Sequence, residues 1–164
     1  MIVTVTANPS IDLTLELDTF EPGEVNRSTG KYKDPAGKGI NVARALDKNG
    51  VRTSAIFPAD TVSGAWIESA LSDAGINTVA TLIADEVRTN ITIVDAAGTT
   101  TKINDAGPLL TAVESDALLA QIAATLSTGP SWLVAAGSLP RGLDGSFYVE
   151  LGKLAHQHGV RFAV

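Results

Sequence analysis

Short apolar strands alternate with amphipathic helices along almost the whole chain, and only two stretches break the rhythm. Residues 1–7, 52–58, 78–83, 131–136 and 160–164 read as strands, and 39–49, 62–74, 111–127 and 144–158 as helices. Asn49-Gly50, Gly75 and Gly159 supply helix stops. Thr111 with Glu114 three positions on forms a capping box ahead of the stripe Val113, Leu118, Ile122 and Leu126. Val62, Trp66, Ala70 and Leu71 share one side of the second helix, and both Trp66 and Trp132 occupy core-like positions. The run 131–136 is nearly continuously apolar, which predicts a strand buried on both faces. This alternation predicts an α/β core with a mostly parallel sheet.

The two interruptions have a different period. Ile11, Leu13, Leu15 and Leu17 alternate with Asp12, Thr14 and Glu16, and 89–95 turns at Ala96-Ala97-Gly98 and returns. Strands are predicted at about 11–18, 25–34, 88–95 and 99–104. They read as a small separate sheet with one apolar face, a lid or an interface element. The last strand stops at Val164 with no cap or turn, as in a piece of a longer protein.

Composition closes off several classes of function. A net charge of -6 without a lysine- or arginine-rich run predicts no nucleic-acid partner. The absence of cysteine rules out disulfides, thiolate zinc sites and a cysteine nucleophile. No apolar run reaches membrane-span length and no leader pattern opens the chain, so the default expectation is a cytoplasmic protein away from membranes. His156 and His158 lie in a last helical turn with no third ligand in view, so no metal site is expected.

Asp34-Pro35-Ala36-Gly37-Lys38-Gly39-Ile40-Asn41 brackets a lysine with glycines just before a helix. Such a loop lets backbone approach a ligand and offers the free amides of a helix start. On its own it serves equally well as an ordinary helix entry. Gly137-Ser138-Leu139-Pro140 follows a buried strand at its carboxyl end, where open α/β sheets bind ligands. It lacks the glycine-x-serine-x-glycine elbow of a serine nucleophile.

Five segments occur in order: Asn8-Pro9-Ser10-Ile11-Asp12, Gly23-Glu24-Val25-Asn26-Arg27, Ala36 to Ala43, Arg88-Thr89-Asn90, and Gly137 to Pro140. Together they resemble the phosphofructokinase B group of the ribokinase-like sugar kinases, above all its 1-phosphofructokinase and tagatose-6-phosphate kinase branch. The resemblance covers the whole chain. It implies a Rossmann-like α/β/α core with a β-sheet lid, the N-terminal half of a kinase domain, and a homodimer joined through the lids. It implies transfer of the γ-phosphate of ATP, with Mg2+, to a phosphorylated ketohexose, fructose 1-phosphate first. Tagatose 6-phosphate and fructose 6-phosphate kinases stay open, as does a sugar-phosphate-binding or dimerisation module without catalysis.

The residues carried over are Asp12 for sugar hydroxyls, Gly37, Gly39, Asn41 and Ser138 for the sugar, and Arg88 for its phosphate. Lys38 is a second cation and Asn90 a further contact on the Arg88 strand. No catalytic residue is expected here. The family's aspartate base, in a glycine-alanine-glycine-aspartate segment, and its nucleotide pocket would lie downstream, so this chain alone is expected to be inactive.

Overall fold

The computed structural model describes all residues, 1–164, as two sheets and four helices. The core sheet is wholly parallel, in the order β5 (Asn77–Leu82), β4 (Thr53–Ala59), β1 (Ile2–Val5), β8 (Trp132–Ala135), β9 (Arg161–Ala163). The helices are α1 (Lys38–Lys48), α2 (Ser63–Asp73), α3 (Ala112–Leu126) and α4 (Ser146–Gln157). Helix α1 packs on β1 and β4 and α2 on β4 and β5, while α3 packs with α4, which lies on β8 and β9. The winding reverses between β1 and β8, the place where open α/β sheets leave a crevice beyond their strand ends.

Burial follows the sequence periods. Val3, Val5, Ile56, Phe57 and Leu133 on the sheet meet Ile40 of α1, Ile67 and Leu71 of α2, Leu118 and Ile122 of α3, and Leu151 of α4, in one core. Each such side chain removed from water stabilises the fold by roughly 1.5–3 kcal/mol. The α3 capping box is present: the Thr111 hydroxyl accepts from the Glu114 N–H at 3.3 Å, and the Thr111 N–H donates back to the Glu114 carboxylate at 2.8 Å.

The second sheet runs β3 (Gly30–Ala36), β2 (Ser10–Leu17), β6 (Arg88–Asp95), β7 (Thr100–Ile103). Its central pair, β2 and β6, is parallel, while β2–β3 and β6–β7 are antiparallel. Leu13, Leu15 and Ile91 on one face are half-buried, and Ile103 beside them is exposed. The other face is polar and turns toward the carboxyl ends of β1 and β8.

Four sequence expectations are corrected. The strand over 25–34 starts only at Gly30, because the Asn26 amide closes a loop: it accepts from the Glu21 N–H at 2.9 Å and donates to the Glu21 and Glu24 carbonyls. Val62 and Val113 are 72% and 77% exposed, since Val62 precedes the first turn of α2 and Val113 sits on the outer side of α3. Trp66 and Trp132 are only partly buried, each flanked by a cation: Lys33 Nζ lies 3.9 Å from one ring and the Arg161 guanidinium 4.5 Å from the other. The β8 strand alternates buried Leu133 and Ala135 with partly exposed Trp132 and Val134, one strand in from the open edge at β9.

Candidate functional site

The crevice at the winding reversal is a cavity of about 580 Å³ with no hydrophobic residue in its lining. Three structural sources build it. The loop after β1 gives Asn8, the loop after β8 gives Gly137 and Ser138, and the start of α1 gives Gly37, Lys38 and Asn41. The polar face of the second sheet closes the remaining side.

That face is a grid. In-register pairing of β2 with β6 sets Ser10 beside Arg88, Asp12 beside Asn90 and Thr14 beside Thr92. The β6–β7 hairpin sets Lys102 beside Thr92. Since alternate residues share a face, Ser10, Asp12, Arg88, Asn90, Thr92 and Lys102 all present to the cavity. Asp12 Oδ1 accepts from the Ser10 hydroxyl and from the Asn90 amide, each at 3.1 Å. The carboxylate is thereby aimed, and its second oxygen has no protein donor.

Arg88 is held by three segments. Its guanidinium donates to the Asn8 carbonyl at 3.1 Å, the Ser138 hydroxyl at 3.3 Å and the Asp105 carbonyl at 3.2 Å. Burial lowers its pKa, while Asp12 and Asp105 favour the charged form. An arginine starts far above neutrality, so it remains a cation here. The buried Asn8 amide ties the same region together by donating to the Ala106 and Leu139 carbonyls and the Ser138 hydroxyl. Tyr148 of α4 holds the Gly137 turn by donating to its carbonyl at 2.7 Å, and burial pushes that phenol's pKa up.

The glycine loop serves two separate ends. Gly37, at φ 127°, lines the cavity and precedes α1 with no side chain capping the first amides of the helix. Gly39 does not line the cavity. It is buried against β1, where a Cβ would meet Thr6 Oγ1 and the Val5 carbonyl oxygen, both at 2.5 Å.

The structure therefore gathers Asp12, Gly37, Lys38, Asn41, Arg88, Asn90 and Ser138 around one cavity and places Gly39 behind its wall. The sequence assigned no role to Thr92, Lys102 or Asn104, and carried Asn8 and Ser10 only as members of a motif. Ser10 and Thr92 stand two residues from Asp12 and Asn90. A hairpin centred on Ala97 pairs Thr92 with Lys102, so these signals were present. Lys38, Arg88 and Lys102 give three cations to one carboxylate, in a chain of net charge -6. Neither lysine has an ion-pair or hydrogen-bond partner, in contrast to Arg44, which pairs with Asp34. No three His, Asp or Glu side chains come together as a metal site.

The family description "pfkB family carbohydrate kinase" matches residues 5–164. A 1-phosphofructokinase of Bacillus subtilis is 32% identical over 98% of this chain and 52% of its own length. An ATP-dependent 6-phosphofructokinase isozyme 2 of Mycobacterium tuberculosis is 31% identical over 95% of this chain and 46% of its own length. The crystal structure of phosphofructokinase-2 from Escherichia coli in complex with fructose-6-phosphate superposes with a TM-score of 0.84, at 30% identity, over 98% of this chain and 53% of that one. The chain spans about half the length of the curated relatives it matches.

Proposed function

The chain belongs to the pfkB family of carbohydrate kinases, and on that footing we propose that it forms the sugar-binding half of an enzyme that phosphorylates a phosphorylated ketohexose with ATP. The preferred substrate is fructose 1-phosphate, giving fructose 1,6-bisphosphate. The supporting observation is the cavity itself: wholly polar in its lining, with one aimed carboxylate and three cations. A ketose phosphate carries a row of hydroxyls and a dianion. Hydrogen bonds to an ionised carboxylate fix the first, and a guanidinium fork with lysines fixes the second.

In this reading Asp12 accepts two sugar hydroxyls, with Asn41 and Asn90 beside it. Arg88 takes the substrate's phosphate, helped by Lys38 and Lys102. The acceptor hydroxyl oxygen attacks the γ-phosphorus, the bond to the β-phosphate oxygen breaks, and ADP leaves. The hydroxyl proton passes to a base in the remaining half. That half also holds the nucleotide and Mg2+. This chain positions the acceptor and offsets the charge of the phosphate already on it, while neutralising the transferred phosphoryl group falls to the remaining half. Without its other half it is inactive.

The second sheet acts as a lid, and its apolar face, with Leu13, Leu15, Ile91 and Ile103, serves a homodimer. A 6-phosphofructokinase reading has its own support in the Mycobacterium tuberculosis relative and in the fructose-6-phosphate-bound neighbour. A coupled assay of the full-length protein against fructose 1-phosphate, fructose 6-phosphate and tagatose 6-phosphate separates these readings. The proposal predicts the highest kcat/KM for the first, and activity with none of the three overturns it.

A further inference from the structure

Residues 83–87 bridge β5 of the core sheet and β6 of the second sheet, and each is tied to another segment. The Ile83 N–H donates to the Ala59 carbonyl at 3.1 Å and the Ala84 N–H to the Glu114 carboxylate at 2.7 Å. Asp85 accepts from the Leu109 N–H at 3.0 Å, and Glu86 from the Ser63 hydroxyl at 2.7 Å. The Val87 N–H donates to Asp60 Oδ2 at 2.8 Å.

The last tether differs from the others because of what Asp60 also holds. This carboxylate is 7% exposed and accepts the N–H groups of Val62, Ser63 and Gly64, at 2.7, 2.9 and 3.0 Å. It has no cationic partner. One side chain therefore joins the first turn of a core helix to the residue immediately before Arg88. Arg88 then reaches bonds on three other segments, at 3.1 to 3.3 Å. Those bonds depend on where the strand enters the cavity.

We propose that Asp60 is a positioning residue for Arg88: by fixing the entry of β6 against α2, it sets where the guanidinium stands in the sugar-phosphate cavity. The inference rests on the reading that Arg88 holds the substrate's phosphate. An asparagine at position 60 keeps the shape but presents an N–H2 where two backbone donors now point, so one oxygen of the clamp is lost.

The test is steady-state kinetics of the full-length protein. D60N raises KM for the phosphorylated ketohexose by about tenfold, as expected for a displaced binding group, with KM for ATP unchanged. In an R88A background the same substitution adds nothing. A penalty from D60N that persists undiminished in R88A overturns the positioning role, since a purely structural effect would multiply. V87P removes the donor at 2.8 Å, along with the buried Val87 side chain, and leaves the three α2 bonds in place. It reproduces the KM shift, and an unchanged KM in V87P also overturns the role. If D60N does not fold, V87P with and without R88A carries the same comparison. A normal sugar KM in R88A alone sinks the phosphate reading and this inference with it. A normal R88A loss with D60N and V87P silent sinks the positioning role only.

Discussion

Asp12 and Asn90 stand opposite one another on the parallel pair β2 and β6, and the Asn90 amide donates to Asp12 Oδ1 at 3.1 Å. With Ser10 on the same oxygen, Oδ2 is the free acceptor that faces the cavity. Asp12→Asn keeps the size and removes the charge. Loss of hydrogen bonds to an ionised group, at about 1.5–3 kcal/mol each, predicts a fall in kcat/KM for the sugar of tenfold or more. Because Asp12 is exposed, the thermal midpoint stays close to that of the wild type. Kinetics and a melting curve on one preparation check both.

Arg88→Ala removes the cation that the proposed function assigns to the substrate's phosphate, together with its bonds to Asn8, Asp105 and Ser138. KM for the phosphorylated sugar is expected to rise about a hundredfold, with KM for ATP nearly unchanged. Equal loss for both substrates would contradict the assignment. Lys102→Ala, on the outer strand of the grid, is expected to raise the same KM by a smaller factor, read in the same assay.

The glycine behind the cavity wall is a stability position. A Cβ at Gly39 meets Thr6 Oγ1 and the Val5 carbonyl oxygen, and the latter is backbone in the central strand. Gly39→Ala should cost roughly 1–3 kcal/mol, the usual range for overpacking. Chemical denaturation reads it directly, and an unchanged midpoint would show that α1 can shift away from β1.

Asp60 also sets an acid limit. Burial alone would raise its pKa, but the N–H donors of Val87, Val62, Gly64 and Ser63 together outweigh burial and hold it below the ordinary value. A depressed carboxylate pKa contributes stability that is fully present above the unfolded value, about 3.9, and is lost as pH falls through the folded one. Glu114, drawn down by its bonds to Thr111 and Ala84, acts in the same direction. Stability should therefore be flat near neutrality and fall below about pH 4. Asp60→Asn should flatten that fall, as followed by urea melts across pH.

Local signals were legible and distant ones were not. The α3 capping box and the stops at Gly75 and Gly159 lie within a few residues of what they control, so the sequence shows them. The strand over 25–34 failed at its start because one amide, Asn26, closes a loop, which no alternation pattern records. The grid of Asp12, Asn90 and Lys102 needed the parallel β2–β6 register, set by residues 78 apart in the case of Asp12 and Asn90. Asp60 was invisible for the same reason: its bond to Val87 spans 27 residues. Lys102 stood in plain view as a hairpin lysine, and only the fold turns it into the cavity.

The most direct test of the central claim is a crystal structure of the full-length protein with a phosphorylated ketohexose. The sugar hydroxyls are expected on Asp12, with the phosphate within hydrogen-bond reach of Arg88. A ketose phosphate bound elsewhere, with Asp12 and Arg88 untouched, would contradict the account.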